Sequence, residues 1–315
     1  MASGSKKAIY AALVGNALIA VTKFIAATIT RSSAMFSEGI HSVVDTGNQV
    51  LLLFGMRRAE QPPDERFPFG HGKEVYFWSF VVAILIFAVG AGISLYEGIK
   101  HLVHPGPIEN PTINYIVLAF AIVFESGAWY FAWREFNKVR GDQGYFEAVR
   151  RGKDPSMFVV LFEDTAALAG LFVALVGVFL GQVTGILYFD GAASVVIGLI
   201  LAGTAIWLAY ETHGLLIGEG ASAQDVAAIR EIISRHRSIK HVNEVATMHV
   251  GPEYILVNLS VDFASDACSD DVEATVGRID REIKEAIPRV KRVFVEAESR
   301  GARSSPPAGR QAVDE

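Results

Sequence analysis

A histidine and several acidic residues lie inside apolar stretches of the sequence, where they could bind a metal ion. His41 and Asp45 are four residues apart, and Asn48 follows seven residues after His41. On a helix this spacing places the three side chains along one face. A second apolar stretch contains Glu163 and Asp164 side by side. Ionisable side chains are costly next to lipid, so we expect them to face the interior of a helical bundle and to serve a function there.

These residue types favour a metal site with mixed nitrogen and oxygen ligands. His41, Asp45 and Asp164 could supply three ligands from two helices. Glu163 or a water molecule would then be the fourth ligand of a tetrahedral site. A neutral imidazole suits zinc, copper or iron better than magnesium or calcium. The alternative is a structural role, in which the same side chains only form hydrogen bonds within the bundle.

Six long apolar stretches must position these residues. The chain has 315 residues, of which 51% are hydrophobic, and its mean hydropathy is +0.33. The stretches lie at about 8–30, 34–56, 75–102, 112–133, 157–181 and 187–209. Because a bilayer core of about 30 Å needs about 20 apolar residues per helix, we predict an α-helical membrane protein with a six-transmembrane-helix bundle. The first stretch follows a basic start, as in a signal peptide, but we expect an uncleaved span.

The lysine and arginine residues predict how the spans are oriented. The N-terminus and the second and fourth connections are basic, whereas the first, third and fifth connections have few basic residues or none. By the positive-inside rule, both termini and all the basic connections lie in the cytoplasm.

Other features narrow the classes of function. The net charge of −6 and the lack of a basic run give no sign of a nucleic-acid partner. The single cysteine, Cys268, excludes an intrachain disulfide and a cysteine-rich metal site. Two further acidic residues in apolar stretches have simpler expected roles. Glu38 lies nearer the end of its stretch and is either interfacial or part of the bundle interior. Asp190 is expected to be an N-cap or first-turn carboxylate of the helix that it opens.

After Tyr210 the sequence changes to the pattern of a small soluble domain. A helix capped by Ser222, two strands, a helix capped by Ser269 or Asp270 and a last strand follow in order. This αββαβ order predicts an α+β domain with its helices on one face of the sheet. The chain is thus predicted to have a transmembrane domain at 1–212, an α+β domain at 213–299 and a disordered tail at 300–315.

Three motifs resemble those of the cation diffusion facilitator family of zinc transporters. They are SEGIHSVVDTGNQ at 37–49, PFGHGKE at 68–74 and FEDTAALAG at 162–170. The resemblance extends over roughly residues 8–298, and the third motif is most similar to the branch that includes the mitochondrial zinc transporter of animals. It implies a six-span bundle, a ferredoxin-like cytoplasmic domain that forms a homodimer, and exchange of metal for protons.

The resemblance also implies which residues bind the transported ion. The family uses one pair of ligands four residues apart on the second span and another pair on the fifth. His41 and Asp45 match the first pair, and Asp164 matches the second residue of the second pair. The remaining position is Val160, which cannot ligate a metal. Glu163 is the nearest substitute, although it lies about 100° around the helix from Asp164.

Two further metal sites of the family have only partial counterparts here. In the loop after the second span, Asp64 and His71 are present, but Phe67 occupies the place of an intervening histidine. In the tail, the candidate ligands are His249, Glu296 and Glu298. We expect a tail that dimerises without tight zinc binding.

The expected function is efflux of a divalent metal by proton antiport with alternating access. Metal ligands must be deprotonated, so binding of the ion displaces protons from the site. Zinc is expected as the transported substrate rather than a cofactor, with manganese, iron or cobalt as alternatives. Two other classes are a membrane scaffold whose cytoplasmic domain recruits partners and an intramembrane metal-dependent hydrolase. The chain has no HExxH motif to support the second.

Overall fold

A computed structural model describes residues 3–140, 144–145, 148 and 155–299. These residues divide into two compact units, one within 1–62 and 73–216 and the other within 63–72 and 217–315. We call them the membrane unit and the tail unit. The segment predicted to be disordered, 300–315, lies outside the described residues.

Long helices occupy all six apolar stretches of the membrane unit. Their bounds are α1 Ser3–Thr30, α2 Ser33–Ala59, α3 Glu74–Val103, α4 Pro111–Arg140, α5 Pro155–Thr184 and α6 Tyr188–Ile217. Helix α3 contains a π-helical stretch at Ile86–Ala91. Helix α2 packs against α1, α3 and α5, and α4 packs against α1 and α5.

Four of these helices, α3 to α6, are long and apolar enough over their described residues to cross a membrane. Helix α1 has a shorter apolar part, Asn16–Thr30, within the residues that could be assessed. Helix α2 carries Glu38, Asp45, Arg57 and Arg58, which lower its hydropathy. The apolar helices identify an integral, multi-pass membrane protein.

The start of α2 is held by two side chains. Ser32 is its N-cap, and the Ser32 hydroxyl accepts a hydrogen bond from the Met35 amide at 3.1 Å. Asp190 of α6 accepts hydrogen bonds from the Ser32 hydroxyl and the Ser33 amide, both at 2.5 Å. Asp190 lies in the first turn of its own helix, as predicted, and it also stabilises the N-terminus of α2. A carboxylate suits this place because a helix N-terminus carries partial positive charge.

Small residues let α3 and α6 approach closely. A Cβ atom at Gly98 of α3 would lie 2.7 Å from the Val195 amide nitrogen, and one at Gly198 of α6 would lie 2.7 Å from Leu95 Cγ. Close contact through small residues is a common way for helices to associate in lipid, where apolar burial provides little driving force.

The tail unit has the element order αββαβ. The elements are α7 Ala223–Ser234, β1 Ile239–Gly251, β2 Tyr254–Phe263, α8 Ser269–Ala286 and β3 Val290–Ala297. The sheet has the order β1-β2-β3, antiparallel between β1 and β2 and parallel between β2 and β3. Apolar residues of both helices and the sheet form one core, which includes Ile229, Ile233, Ile255, Val257, Leu259, Ile279 and Ile283.

Side chains cap both tail helices. Ser222 caps α7, as predicted, and its hydroxyl accepts a hydrogen bond from the Asp225 amide at 3.1 Å. Helix α8 is capped by Cys268 together with Asp271, so the predicted caps, Ser269 and Asp270, were wrong by one or two residues. A cysteine is an unusual N-cap, and sequence preferences therefore favoured the serine and aspartate that follow it.

The loop between α2 and α3 belongs to the tail unit. A Cβ atom at Gly72 would lie 2.6 Å from the Val250 carbonyl oxygen at the end of β1. The Phe69 ring makes an edge contact with the Phe294 ring of β3, with 6.4 Å between centroids. The sequence division into 1–212 and 213–299 did not anticipate that residues 63–72 pack on this domain.

Candidate metal site

His41 and Asp45 form the centre of a buried polar stripe on α2. They lie on one face, with 3.3 Å between His41 Nε2 and Asp45 Oδ1. Both side chains are buried, and the Nδ1 atom of His41 has no hydrogen-bond partner. The His41 Nε2 and Asp45 Oδ1 atoms face each other, and a buried imidazole beside a carboxylate is suited to bind a cation.

Helix α5 contributes Glu163 to the same level of the bundle. Glu163 is 4% exposed and accepts a hydrogen bond from the Asn48 side-chain amide at 2.6 Å. Its carboxyl group also forms a hydrogen bond with the carboxyl group of Asp45. A hydrogen bond between two carboxyl groups requires a proton on one of them. The carboxyl groups of Asp45 and Glu163 therefore lie close enough to share a proton, next to the His41 imidazole.

Asp164 lies on a different side of α5 from Glu163. It is only partly buried. Its carboxyl group interacts electrostatically with Glu125 of α4 and also with Asp45 and His41. Neighbouring residues on a helix are rotated by about 100°, which separates the two carboxyl groups. Glu163 therefore lies toward α2, and Asp164 lies on the side of Glu125 of α4.

The four predicted ligands are gathered at one level but do not form a finished coordination shell. Among the residues that the structure describes, no three His, Cys, Asp or Glu side chains are close enough to hold a metal ion. His41 contacts Asp45, and Asp45 contacts Glu163. Asp164 lies near these residues but contacts none of them directly enough to complete a site. Val160, where a fourth ligand would complete the family pattern, is a partly buried packing residue. A metal ion would have to draw these side chains inward.

An ion pair that the sequence analysis missed lies one helical turn from His41. Lys23 of α1 donates hydrogen bonds to Glu38 Oε2 at 3.0 Å and to the Ser42 hydroxyl at 2.8 Å. Lys23 is 1% exposed and Glu38 is fully buried, so of the two alternatives for Glu38 the interfacial one is excluded. The available signal was one lysine and one glutamate in neighbouring apolar stretches, where each charge needs a partner.

The loop pair Asp64 and His71 is brought together. His71 Nε2 lies 3.0 Å from Asp64 Oδ2, and His71 is buried. The Phe67 amide donates to Asp64 Oδ1 at 2.7 Å, and this bond and the His71 contact lower the pKa of Asp64. The Phe67 ring covers the His71 ring, with 4.7 Å between centroids. This position therefore offers two ligands, and an aromatic ring fills the place of a third.

The three tail candidates do not share a site. His249 lies opposite Ile255, near the β1–β2 turn, whereas Glu296 pairs with Ser260 farther along β2. Five residues along a strand correspond to about 16 Å, so His249 and Glu296 cannot bind one ion. Glu298 instead accepts a hydrogen bond from the Ser260 hydroxyl at 2.7 Å. The proposed set His249, Glu296 and Glu298 was therefore wrong as a single site.

Comparisons with known proteins identify the family to which the chain is similar. The profile of the cation efflux transmembrane domain matches residues 9–217. The proton-coupled zinc antiporter SLC30A9, mitochondrial, of Homo sapiens is 32% identical over 262 residues, which are 82% of this chain and 46% of that protein. This chain therefore spans about half the length of that relative.

A plant protein and a bacterial protein are also similar to this chain. Metal tolerance protein C4 of Arabidopsis thaliana is 28% identical over 261 residues, covering 82% of this chain and 57% of that protein. The manganese efflux system protein MneP of Bacillus subtilis is 22% identical over 300 residues, covering 92% of this chain and 95% of that protein.

Proposed function

The chain belongs to the cation efflux, or cation diffusion facilitator, family, and we propose that it exports a divalent metal ion, zinc first, by proton antiport. The observation that carries this proposal is the buried cluster of His41, Asp45 and Glu163, in which the His41 imidazole lies 3.3 Å from the Asp45 carboxyl group and the Glu163 carboxyl group contacts that of Asp45. The relatives named for zinc antiport and for manganese efflux support the reaction and the range of metals.

The proton exchange follows from competition for the same atoms. A divalent ion that binds Asp45 and Glu163 displaces protons from these carboxyl groups, because a metal ligand must be deprotonated. Asp164 and Glu125 extend the acidic cluster toward α4 and could accept or release further protons. When the ion leaves on the opposite side, the carboxyl groups recover their protons there. Competition at one site then couples the two fluxes if access alternates between the two membrane faces.

The proposed topology has six spans with both termini in the cytoplasm. Helices α1 and α2 are the two that composition alone does not identify as spans. The acidic stripe of α2 explains its low hydropathy, since these side chains face the bundle. Basic residues at the C-terminal ends of α2 and α4 support the orientation by the positive-inside rule.

We further propose that the tail unit forms a homodimer. Its helices pack on the sheet face that holds Ile255, Val257 and Leu259. By strand alternation the opposite face carries Leu256 and Asn258, and Phe294 lies opposite Asn258 on β3 and is 40% exposed. A second copy of this face could cover these residues.

Zinc flux in sealed proteoliposomes tests the transport proposal. Vesicles with an acidic interior and the purified chain should accumulate external zinc, detected with an internal zinc-sensitive dye, and should acidify the outside as zinc enters. A protonophore should abolish accumulation by collapsing the proton gradient. Manganese, iron and cobalt are tested in parallel. A correctly inserted protein that moves none of these metals would refute the proposal and would leave the scaffold as the alternative.

A further inference from the structure

Lys23 is an unusual residue for the interior of a cation transporter. It is the only lysine or arginine buried within the described part of the membrane unit. Its ammonium group contacts Glu38 Oε2 and the Ser42 hydroxyl, both on α2. A buried ammonium requires a charged partner, and Glu38 provides one at 3.0 Å. The pair joins α1 to α2 next to the proposed ligands.

Glu38 is placed as a ligand would be. It precedes His41 by three residues and therefore lies on the same helical face, with about 5–6 Å between the Cβ atoms of the two residues. Its second oxygen, Oε1, is buried without a hydrogen-bond partner. That oxygen lies against Gly170 of α5, where any side chain would overlap it. Glu38 therefore has one oxygen held by Lys23 and one oxygen uncommitted inside the bundle.

We propose that Lys23 sets the metal preference of this site by holding the Glu38 carboxylate away from the transported ion. This inference rests on the proposed function, since it concerns the ligands of the same site. While the ion pair is intact, the ligands come from His41, Asp45, Glu163 and Asp164. Without the ammonium, Glu38 would be a buried, unpaired carboxylate one turn from His41, and a bound cation would be its nearest source of neutralising charge.

The expected consequence is a change in the kind of metal that binds best. An additional carboxylate raises the number of oxygen ligands around the single imidazole nitrogen. Oxygen-rich sites suit manganese, whereas a larger share of nitrogen ligands suits zinc. The Lys23–Glu38 pair should therefore favour zinc, and its removal should favour manganese.

Binding of zinc and of manganese to the detergent-solubilised full chain, measured by isothermal titration calorimetry, tests the inference. Lys23→Met keeps the length of the side chain and removes its charge. It should shift the zinc-to-manganese affinity ratio toward manganese by about tenfold, within the range known for changes to the surroundings of metal ligands. The double variant Lys23→Met/Glu38→Gln should return the ratio to the wild-type value, and Lys23→Arg should leave it unchanged.

The control variants separate selectivity from structure. If the ion pair only holds the helices together, Lys23→Met should weaken both metals equally and the double variant should not restore the ratio, which would overturn the inference. Lys23→Gln also removes the positive charge and provides a milder change if Lys23→Met does not fold. An unchanged ratio in Lys23→Gln would also overturn the inference. Wild-type protein that binds neither metal refutes the proposed function itself, whereas normal wild-type binding with an unaltered ratio in the variants refutes only the role of Lys23.

Discussion

The two units differ in how they satisfy their buried polar atoms. Along α2 of the membrane unit, buried atoms without hydrogen-bond partners occur on five residues: Ser33, Glu38, His41, Asp45 and Asn48. In the described part of the tail unit, only the side-chain oxygen of Asn258 is in this state. Polar groups elsewhere in the tail form a connected network, in which Ser260 donates to Glu298 at 2.7 Å and Asn243 donates to Ser260 at 3.1 Å.

This difference in unpartnered buried polar atoms indicates which part of the fold is less stable than its packing would allow. A buried polar atom without a partner costs about 1–3 kcal/mol. The tail avoids this cost almost completely, as expected of a domain whose polar residues serve packing and assembly. The membrane unit carries this cost at several positions, and more of it falls on α2, beside the carboxyl groups of α5, than on any other helix of that unit. Such a concentration is expected where a ligand supplies the missing interactions. Substitutions in the two regions should therefore have opposite effects on stability and on transport.

The largest expected effect is the loss of transport in Asp45→Asn. The amide keeps the shape of the side chain but cannot provide the anionic oxygen that binds the ion and exchanges the proton. Zinc flux in proteoliposomes should fall by at least about 100-fold. His41→Ala and Asp164→Ala should also abolish flux. The melting temperature should not fall in Asp45→Asn, because the substitution removes a costly buried carboxyl group.

Asn114→Ala is the matched control for Asp45→Asn. Asn114 of α4 is also fully buried, and neither of its side-chain polar atoms has a partner. It lies eleven residues before Glu125, or about 16 Å along the helix. Its flux should remain close to that of the wild type. Equal losses in both variants would show that unsatisfied polar atoms in this unit do not mark the ion site.

A smaller effect is expected for Glu163→Gln. The amide preserves the contact with Asn48 but removes a carboxyl group that can share a proton with Asp45. Zinc transport should become slower by about tenfold, and its dependence on pH should change, because one proton-exchanging group is lost. Flux measured across a series of pH gradients checks both effects. Glu97→Gln is the control, since Glu97 pairs with Lys100 at 3.2 Å away from the site. An unaltered rate and pH profile in Glu163→Gln would assign Glu163 to packing and leave water as the fourth ligand.

In the tail, removal of a satisfied polar group should affect stability alone. Ser222→Ala deletes the N-cap of α7 and should lower the free energy of unfolding of the tail by about 1 kcal/mol. Ser222→Thr keeps a capping hydroxyl and should lower it less. Denaturant unfolding monitored in the tail measures both changes, and zinc flux should stay at the wild-type level. A loss of flux in Ser222→Ala without a loss of stability would contradict the separation of the two regions.

Local spacing explains which parts of the site could be predicted from sequence. His41 and Asp45 had to share a face because they are four residues apart on one helix, and the structure places them 3.3 Å from each other. The choice between Glu163 and Asp164 was open, since it depends on how α5 is rotated by its packing partners. The structure turns Glu163 toward α2 and Asp164 toward α4.

Non-local pairings account for the rest. The Lys23–Glu38 pair joins two helices, and no local pattern specifies which buried charges meet. In the tail, the alternating apolar residues predicted both the strands and the helix order. They could not fix the strand register, which separates His249 from Glu296. The contact of the 63–72 loop with the tail was equally hidden, because it depends on backbone approach at Gly72.

The smallest expected effect concerns Asp271, a satisfied carboxylate at the start of α8. The Cys268 thiol and the Cys268 amide donate to its Oδ2 atom at 3.1 and 3.4 Å, and these bonds lower the pKa of Asp271. A carboxylate with a lowered folded-state pKa contributes stability above its unfolded pKa of about 3.9, and this contribution is lost as the pH falls through the folded value. Because the side chain is exposed to solvent, the contribution to stability should be small.

Carboxyl-carbon NMR of the full chain in detergent, with Asp271→Asn for assignment, measures this pKa directly. Cys268→Ala removes the thiol donor but keeps the amide, so the pKa of Asp271 should rise only part of the way to its ordinary value. Cys268→Ser restores a side-chain donor and should lower it again. The same pKa in the wild type, Cys268→Ala and Cys268→Ser would mean that the Cys268 side chain does not bond to Asp271. The polar groups of the tail would then be less completely hydrogen-bonded than we infer from the comparison of the two units.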